Sequence, residues 1–412
     1  MNLKKNTSYP KENMNILFLE NISNSAIKIF KDAGYPSIKI IERALSEDEL
    51  IKEIKNIHIL GIRSKTQVTK KVLDAAQKLQ AIGCFCIGVN QVDLHTATKK
   101  GIAVFNAPYS NTRSVAELVI ASSIMLIRRI PDKNRSAHAG IWLKESKGSY
   151  ELRGKTLGII GYGNIGSQVS VLAESLGMKV IFYDVETKMP LGNAEAKSSL
   201  KVVLNNADII TLHVPELPTT KNLINKNTFG YCKPNAVLIN YARGEVVDLN
   251  ELRKCLLAGR LAGAAVDVFP IEPEKNGDMF SSPLQNVSNV ILTPHVGGST
   301  EEAQQNIGVD VSNKLFSFLE KGISNGSHTI PALSLPPQEG THRILHIHKN
   351  VPGVLSDINT TLSKNKINIV AQYLKTNEDI GYVVLDVDKA ISENAVRLLR
   401  NSEQTIKVRM VY

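Results

Sequence analysis

The sequence predicts an α/β protein in three parts, and three observations predict it. Two successive stretches of the chain alternate short apolar runs with helical segments, the pattern of parallel sheets covered by helices. A long helical run near residue 110 separates the two. The last seventy or so residues change to the order β-α-β-β-α-β, which is ferredoxin-like. A length of 412 residues agrees with more than one hydrophobic core.

The first 13 residues, polar and lysine-rich, read as a flexible tail. From Met14 to about Asn106, MNILFLE, HILGIR, LQAIGCFC and IAVFN read as strands, with SNSAIKIFKDAG, EDELIKEI and TKKVLDAAQKL as helices between them. TRSVAELVIASSIMLIRRIPDKN reads as one long, largely buried helical run, because it holds small and branched apolar residues and few charges. From Leu152 a second series follows. KTLGIIGYG, KVIFYDV, DIITLHV, AVLINYA, GAAVDVF and NVILTPH are six strands separated by helical segments, as a Rossmann-type doubly wound fold requires.

Ser299-Thr300-Glu301-Glu302 has the form of a capping box and predicts a helix ending near Gly322. The chain can return there to the first sheet. The expected organisation is therefore a Rossmann-type domain over residues 111–297, inserted in a smaller flavodoxin-like α/β domain built from 1–110 and 298–339. SNGSHTIPALSLPPQEG reads as a linker, and residues 340–412 form the ferredoxin-like module.

Composition narrows the function classes. A hydrophobic share of 43% and a charged share of 21% suit a soluble globular protein. No apolar run approaches membrane-spanning length and the N-terminus has no apolar h-region, so neither a membrane partner nor a secretory leader is expected. Cys84, Cys86, Cys232 and Cys255 lack CxxC spacing, and the first two lie in the apolar stretch AIGCFCIGV. A reduced, cytoplasmic protein without a metal centre follows. The formal charge is +10, yet the lysines are scattered and aromatics make up only 5%. This reads as attraction for small anions and not as a nucleic-acid surface.

KTLGIIGYGNIG puts Gly161, Gly163 and Gly166 after a strand and before the helical SQVSVLAESLG. Gly161 suits a tight turn, Gly163 admits a pyrophosphate, and Gly166 lets the helix pack, with the helix N-terminus facing the phosphates. Asp184 ends the next strand, 18 residues after Gly166. An acid there accepts from ribose hydroxyls and repels a 2′-phosphate, which favours NAD over NADP.

Three more residues stand at strand ends: Arg243 after AVLINYA, Glu272 in DVFPIEPEK, and His295 in LTPHVGGST. Alone, each has an ordinary reading as a surface ion pair, a solvated acid or a loop residue. On one edge of a nicotinamide-binding sheet they fit a single reaction. Arg243 can grip a carboxylate through two parallel hydrogen bonds and polarise the adjacent carbonyl. His295 can give a proton to the carbonyl oxygen as hydride arrives. Glu272, paired with the imidazole, would raise its pKa and orient it.

GYGNIG, Asp184, LHVP (212–215), NYARGEVVD (240–248), AAVDVFPIEP (264–273) and LTPHVGGS (292–299) together closely resemble the D-isomer-specific 2-hydroxyacid dehydrogenase family. Within it the match runs over nearly the whole chain to phosphoglycerate dehydrogenases with a short C-terminal ACT domain. The resemblance implies that Arg243, Glu272 and His295 are catalytic. It places cofactor contacts on Gly161, Gly163, Asn164, Ile165, Gly166, Asp184, His213, the backbone of Tyr241, Ala242 and Arg243, Asp267, and the run His295, Val296, Gly297, Gly298. Tyr241-Ala242 departs from the small residues that the family often carries there. The implied substrate is a phosphorylated 2-hydroxy acid, held by Arg63, Ser64 and Asn111, with Lys65 and Lys144 adding to a basic rim. A side activity on 2-oxoglutarate is compatible with that rim.

HIHKNVPGVL followed by NKINIVAQYL resembles an ACT domain. In serine-inhibited relatives the residues matching His348, Asn350 and Asn368 bind serine across a pair of such domains, so L-serine is the implied effector and a homotetramer the implied assembly. Two alternatives stay open. The module can serve dimerisation alone, by joining sheet edges. The chain as a whole can be an NADH-sensing scaffold or a dehydrogenase for another 2-hydroxy acid.

Overall fold

The computed structural model describes residues 11–273, 277–337 and 339–411. Residues 1–10 of the expected tail lie outside them. Lys11–Asn13 depart from that expectation by forming a 3-10 turn, held by an ion pair from Lys11 to Glu320 at 3.1 Å. The chain divides into two compact units, residues 1–110 with 304–412, and residues 111–303. No helix among the described residues is long and apolar enough to cross a membrane.

The first unit opens with a five-stranded parallel sheet in the order Ile38–Ile41, Ile16–Leu19, Ile59–Ile62, Ala81–Cys84, Ala103–Asn106. Numbered along the chain this is 2-1-3-4-5, the flavodoxin-like order. Ile38–Ile41 is a strand beyond the four that the apolar runs predict. It is a partly exposed edge strand interrupted by Lys39, so no apolar run marks it.

Residues 111–303 form a seven-stranded parallel sheet in the order Val290–Leu292, Leu261–Val266, Ala236–Asn240, Ile209–Leu212, Thr156–Ile160, Lys179–Tyr183, Glu195–Ala196. Along the chain this is 3-2-1-4-5-6-7, the Rossmann order with one strand added at the far edge. The two-residue Glu195–Ala196 is too short to carry any periodicity, which is why six strands were expected and seven are found. Apolar side chains alternate between the two faces. Leu157, Ile159, Val237 and Ile239 enter one core, and Ile160, Ala236 and Leu238 the other.

The expected single helix over 112–134 is two, Thr112–Ile127 and Ile130–His138. Arg129 between them has φ 55°, and Pro131 sits in the first turn of the second helix. A proline lacks the N–H that the preceding turn would need, so the chain restarts the helix around it. The helix Glu301–Lys321 forms, but the cap is shifted by one residue from the expected Ser299 box: Thr300 Oγ1 accepts from the Ala303 N–H at 3.1 Å.

The last four strands form an antiparallel sheet in the order Ile369–Thr376, Ile380–Val387, His342–Lys349, Thr405–Val411. In Ile380–Val387 the residues Val383, Leu385 and Val387 face the helices Val354–Lys364 and Ser392–Arg400, while Ile380, Tyr382 and Val384 join the core of the first sheet. Because this second face is apolar as well, the terminal sheet packs inside the first unit.

Candidate active site

All seven strands of the inserted unit run parallel, so their carboxyl ends share one edge, and the chain reverses its winding between Thr156–Ile160 and Ile209–Leu212. Gly161 follows the first of these with φ 90°, and a Cβ there would stand 2.4 Å from the His213 carbonyl oxygen. A Cβ on Gly166 would stand 2.3 Å from the Gly161 carbonyl oxygen, so helix and turn meet at contact distance. Gly163, at the N-cap of helix Asn164–Ser175, differs: a Cβ there would meet nothing within 4 Å, and no side chain caps the helix. This leaves open space and uncapped N–H groups, including those of Asn164 and Ile165, at the positive end of a helix dipole. Asp184 is tied to the same turn, accepting the N–H of Tyr162 at 2.7 Å and of Glu186 at 3.0 Å. The set fits a dinucleotide, with its pyrophosphate at Gly163 and its ribose at Asp184.

His295 is the third residue after Val290–Leu292, an outer strand of the same sheet. Its Nδ1 lies 2.8 Å from Glu272 Oε2, and Glu272 Oε1 accepts the Phe269 N–H at 2.9 Å. The His295 backbone is left-handed, with φ 54°, a conformation that a non-glycine residue holds only when its surroundings require it. Buried Asp267 supplies the requirement. Its carboxylate accepts from the Thr293 hydroxyl at 2.6 Å and from the N–H groups of Val296 and Gly297, both at 2.8 Å, while its carbonyl accepts the His295 N–H. Hydrogen bonding to Glu272 raises the His295 pKa against partial burial, with the charges of Glu272 and Asp267 adding to it and Arg243 opposing. Partial burial pulls Glu272 up, but the hydrogen bonds from His295 and Phe269 carry it below the ordinary value. An imidazolium–carboxylate pair is favoured, with Nδ1 committed to Glu272 and Nε2 left to exchange a proton.

Arg243 follows strand Ala236–Asn240 and is half-buried. Buried Asn240 shapes its turn: the side-chain amide donates to the Arg243 carbonyl at 3.0 Å and its oxygen accepts the Ala242 N–H at 3.2 Å. Gly244 is required next, because a Cβ would stand 2.1 Å from the Phe269 carbonyl carbon. That contact joins the Arg243 turn to the segment carrying Glu272. Sequence reasoning passed over Asn240, Gly244 and Thr293. The one available signal was a polar residue ending the apolar strand AVLIN.

Against known proteins, residues 120–297 match the model of the D-isomer specific 2-hydroxyacid dehydrogenase NAD binding domain, and residues 344–407 match an AHAS small subunit-like ACT domain. The D-3-phosphoglycerate dehydrogenase of Haemophilus influenzae is 49% identical over 98% of this chain and 99% of its own length. That of Escherichia coli is 48% identical over the same shares. The chain belongs to the D-isomer specific 2-hydroxyacid dehydrogenases. A crystal structure of D-lactate dehydrogenase from Aquifex aeolicus, complexed with NAD and lactic acid, superimposes with a TM-score of 0.65 at 28% identity, covering 77% of this chain and 100% of that one. The protein is thus an NAD-dependent oxidoreductase of the phosphoglycerate dehydrogenase type, and the glycine turn and Asp184 are where its own residues fit the cofactor.

Other residues singled out in this dehydrogenase fall in different places. Asn111 lies against the histidine loop, since a Cβ on Gly298 would stand 2.1 Å from its Nδ2. Lys144 is exposed in a stretch without regular structure. Arg63, Ser64 and Lys65 belong to the other unit, just beyond strand Ile59–Ile62. The His213 ring is turned inward, with Nε2 3.0 Å from Thr211 Oγ1 and Nδ1 enclosed without a partner, and burial pulls its pKa down to about 3. Its carbonyl oxygen lies against the glycine turn, 2.4 Å from where a Cβ on Gly161 would stand. Tyr241 is likewise directed into the core, its hydroxyl 2.6 Å from Ser122 Oγ and its pKa pushed up to about 12 by burial.

In the terminal sheet His348 is buried across Gly381, and the Asn350 amide donates to the Asn377 carbonyl at 2.7 Å. Asn368 precedes the opposite end of its sheet: Ile369 pairs with Val387, whereas Gly381 pairs with both Thr376 and His348. One chain therefore does not bring Asn368 to His348 and Asn350.

Proposed function

We propose that the protein oxidises D-3-phosphoglycerate to 3-phosphohydroxypyruvate, the opening step of serine biosynthesis. The observation that carries this reading is the His295–Glu272 pair beside Arg243 on the cofactor edge, in a chain alike over nearly its full length to relatives named for that substrate. NAD, when bound, supplies the hydride acceptor. Arg243 grips the substrate carboxylate, and His295 Nε2 takes the hydroxyl proton, or returns it in the reduction direction. Glu272 holds the imidazole and stabilises its charge. Arg63, Ser64, Lys65, Asn111 and Lys144 are assigned to the substrate, the cationic ones to its phosphate.

L-serine is proposed as effector, bound between terminal modules of two chains, because His348 and Asn350 lie at the far end of the sheet from Asn368. Exposed apolar side chains support assembly into a homotetramer. Val370 and Leu374 lie on the edge strand Ile369–Thr376, and Trp142, 85% exposed, stands between exposed Ile141 and Leu143. Four free cysteines support a reducing, cytoplasmic setting. NADH oxidation measured with 3-phosphohydroxypyruvate, hydroxypyruvate, pyruvate and 2-oxoglutarate tests the substrate, and L-serine added to each tests the effector. The expected result is strong preference for the phosphorylated substrate and inhibition by serine. Equal rates with pyruvate would sink the phosphate assignment.

A further inference from the structure

We propose that Glu20 and Gln91 are positioning residues that fix the Arg63–Thr66 segment for anion binding. The inference rests on the reading of Arg63, Ser64 and Lys65 as substrate contacts. Strands Ile16–Leu19 and Ile59–Ile62 are neighbours in the first sheet and lead into Glu20 and Arg63. Glu20 is only 8% exposed, and its carboxylate accepts two successive main-chain donors, the Lys65 N–H at 3.0 Å and the Thr66 N–H at 2.8 Å. To aim it there the chain takes left-handed backbone at both Glu20, φ 62°, and Asn21, φ 53°. Neither is glycine, so the geometry costs free energy that the two hydrogen bonds offset. Gln91, 3% exposed, holds the start of the segment: its Nε2 donates to the Arg63 carbonyl at 2.7 Å. The segment is clamped through its main chain, and among the described residues no hydrogen bond or ion pair engages the side chains of Arg63 or Lys65.

Charge alone argues against a buried carboxylate here, because it repels the anion that the segment is to bind. That opposition gives the test its sign. Glu20→Gln keeps the shape, but its single oxygen can satisfy only one of the two N–H groups. Gln91→Met keeps the volume and removes the donor. With 3-phosphohydroxypyruvate and NADH, each variant is expected to raise the KM for the keto acid about tenfold, with kcat and the NADH Kd from fluorescence titration unchanged. An unchanged or lowered KM in Glu20→Gln overturns the proposal, and so does a parallel loss of NADH affinity, which would make Glu20 a support of the whole fold. Arg63→Gln run alongside separates the two levels. A rise there with none in Glu20→Gln overturns the clamp alone, whereas no rise in either overturns the substrate assignment of the segment as well.

Discussion

In the proposed reaction His295 and Glu272 carry the proton chemistry as a pair, and the pair sets the pH dependence. The His295 pKa is raised above 6.5 chiefly by the Glu272 hydrogen bond, so the protonated form needed for reduction persists to higher pH than a free histidine would allow. Reduction should therefore fall only above that raised value, while oxidation, which needs the neutral ring, should rise there. Glu272→Gln removes the anion, moves the alkaline limb of reduction to lower pH, and lowers the rate at pH 8 by roughly tenfold or more. A pH–kcat profile checks it. The pair also contributes stability between its two titrations: the His295 share is lost as pH rises from 6.5 through the raised value, and the Glu272 share as pH falls from 4.5 through the lowered one. Tyr241 acts differently. Tyr241→Phe leaves Ser122 buried without its partner and should cost about 1–2 kcal/mol in denaturant unfolding.

At the scale of elements, the glycine turn separates packing from binding. Gly166 touches the backbone of the turn, and Gly163 faces open space. Gly166→Ala should lower stability by about 1–3 kcal/mol through overpacking. Gly163→Val should leave the melting temperature nearly unchanged and weaken NADH binding by about tenfold or more, because the added methyl groups occupy the approach to the helix N-terminus. Paired thermal melts and NADH titrations distinguish the two.

The elements that the sequence made legible are those with apolar runs followed by a chemically distinctive residue: Gly161, Asp184, Arg243 and His295 all come just after apolar strands. Ile38–Ile41 and Glu195–Ala196 are not legible, since edge strands open to solvent need no apolar run. Neither was the break at Arg129, although Pro131 marked it. Residues that hold the site in shape, Asn240 and Thr293, make their case only through partners that folding brings near.

At the scale of the molecule, the terminal sheet packs within the first unit through its apolar face and through cationic side chains that reach main-chain carbonyls, Arg409 on Phe318 and Leu319 among them. Lys407 donates to the Leu79 carbonyl at 2.5 Å, and burial, reinforced by Arg409 and Lys100, pulls its pKa down to about 7. The folded state then binds fewer protons than the unfolded chain between about 7 and 10.5, so this group makes stability rise with pH across that window. Lys407→Met should flatten the rise, as thermal melts from pH 6 to 10 will show.

In the proposed reaction the paired histidine on the cofactor edge passes the proton as NAD and a phosphorylated 2-hydroxy acid exchange hydride. The direct test is kcat/KM for NADH-dependent reduction of 3-phosphohydroxypyruvate by the wild type and by His295→Asn, with the NADH Kd measured for both. Ready turnover by the wild type is expected, with a loss of roughly 10²–10⁴-fold in the variant at unchanged NADH affinity. Turnover by His295→Asn close to that of the wild type, or none by the wild type itself, would contradict it.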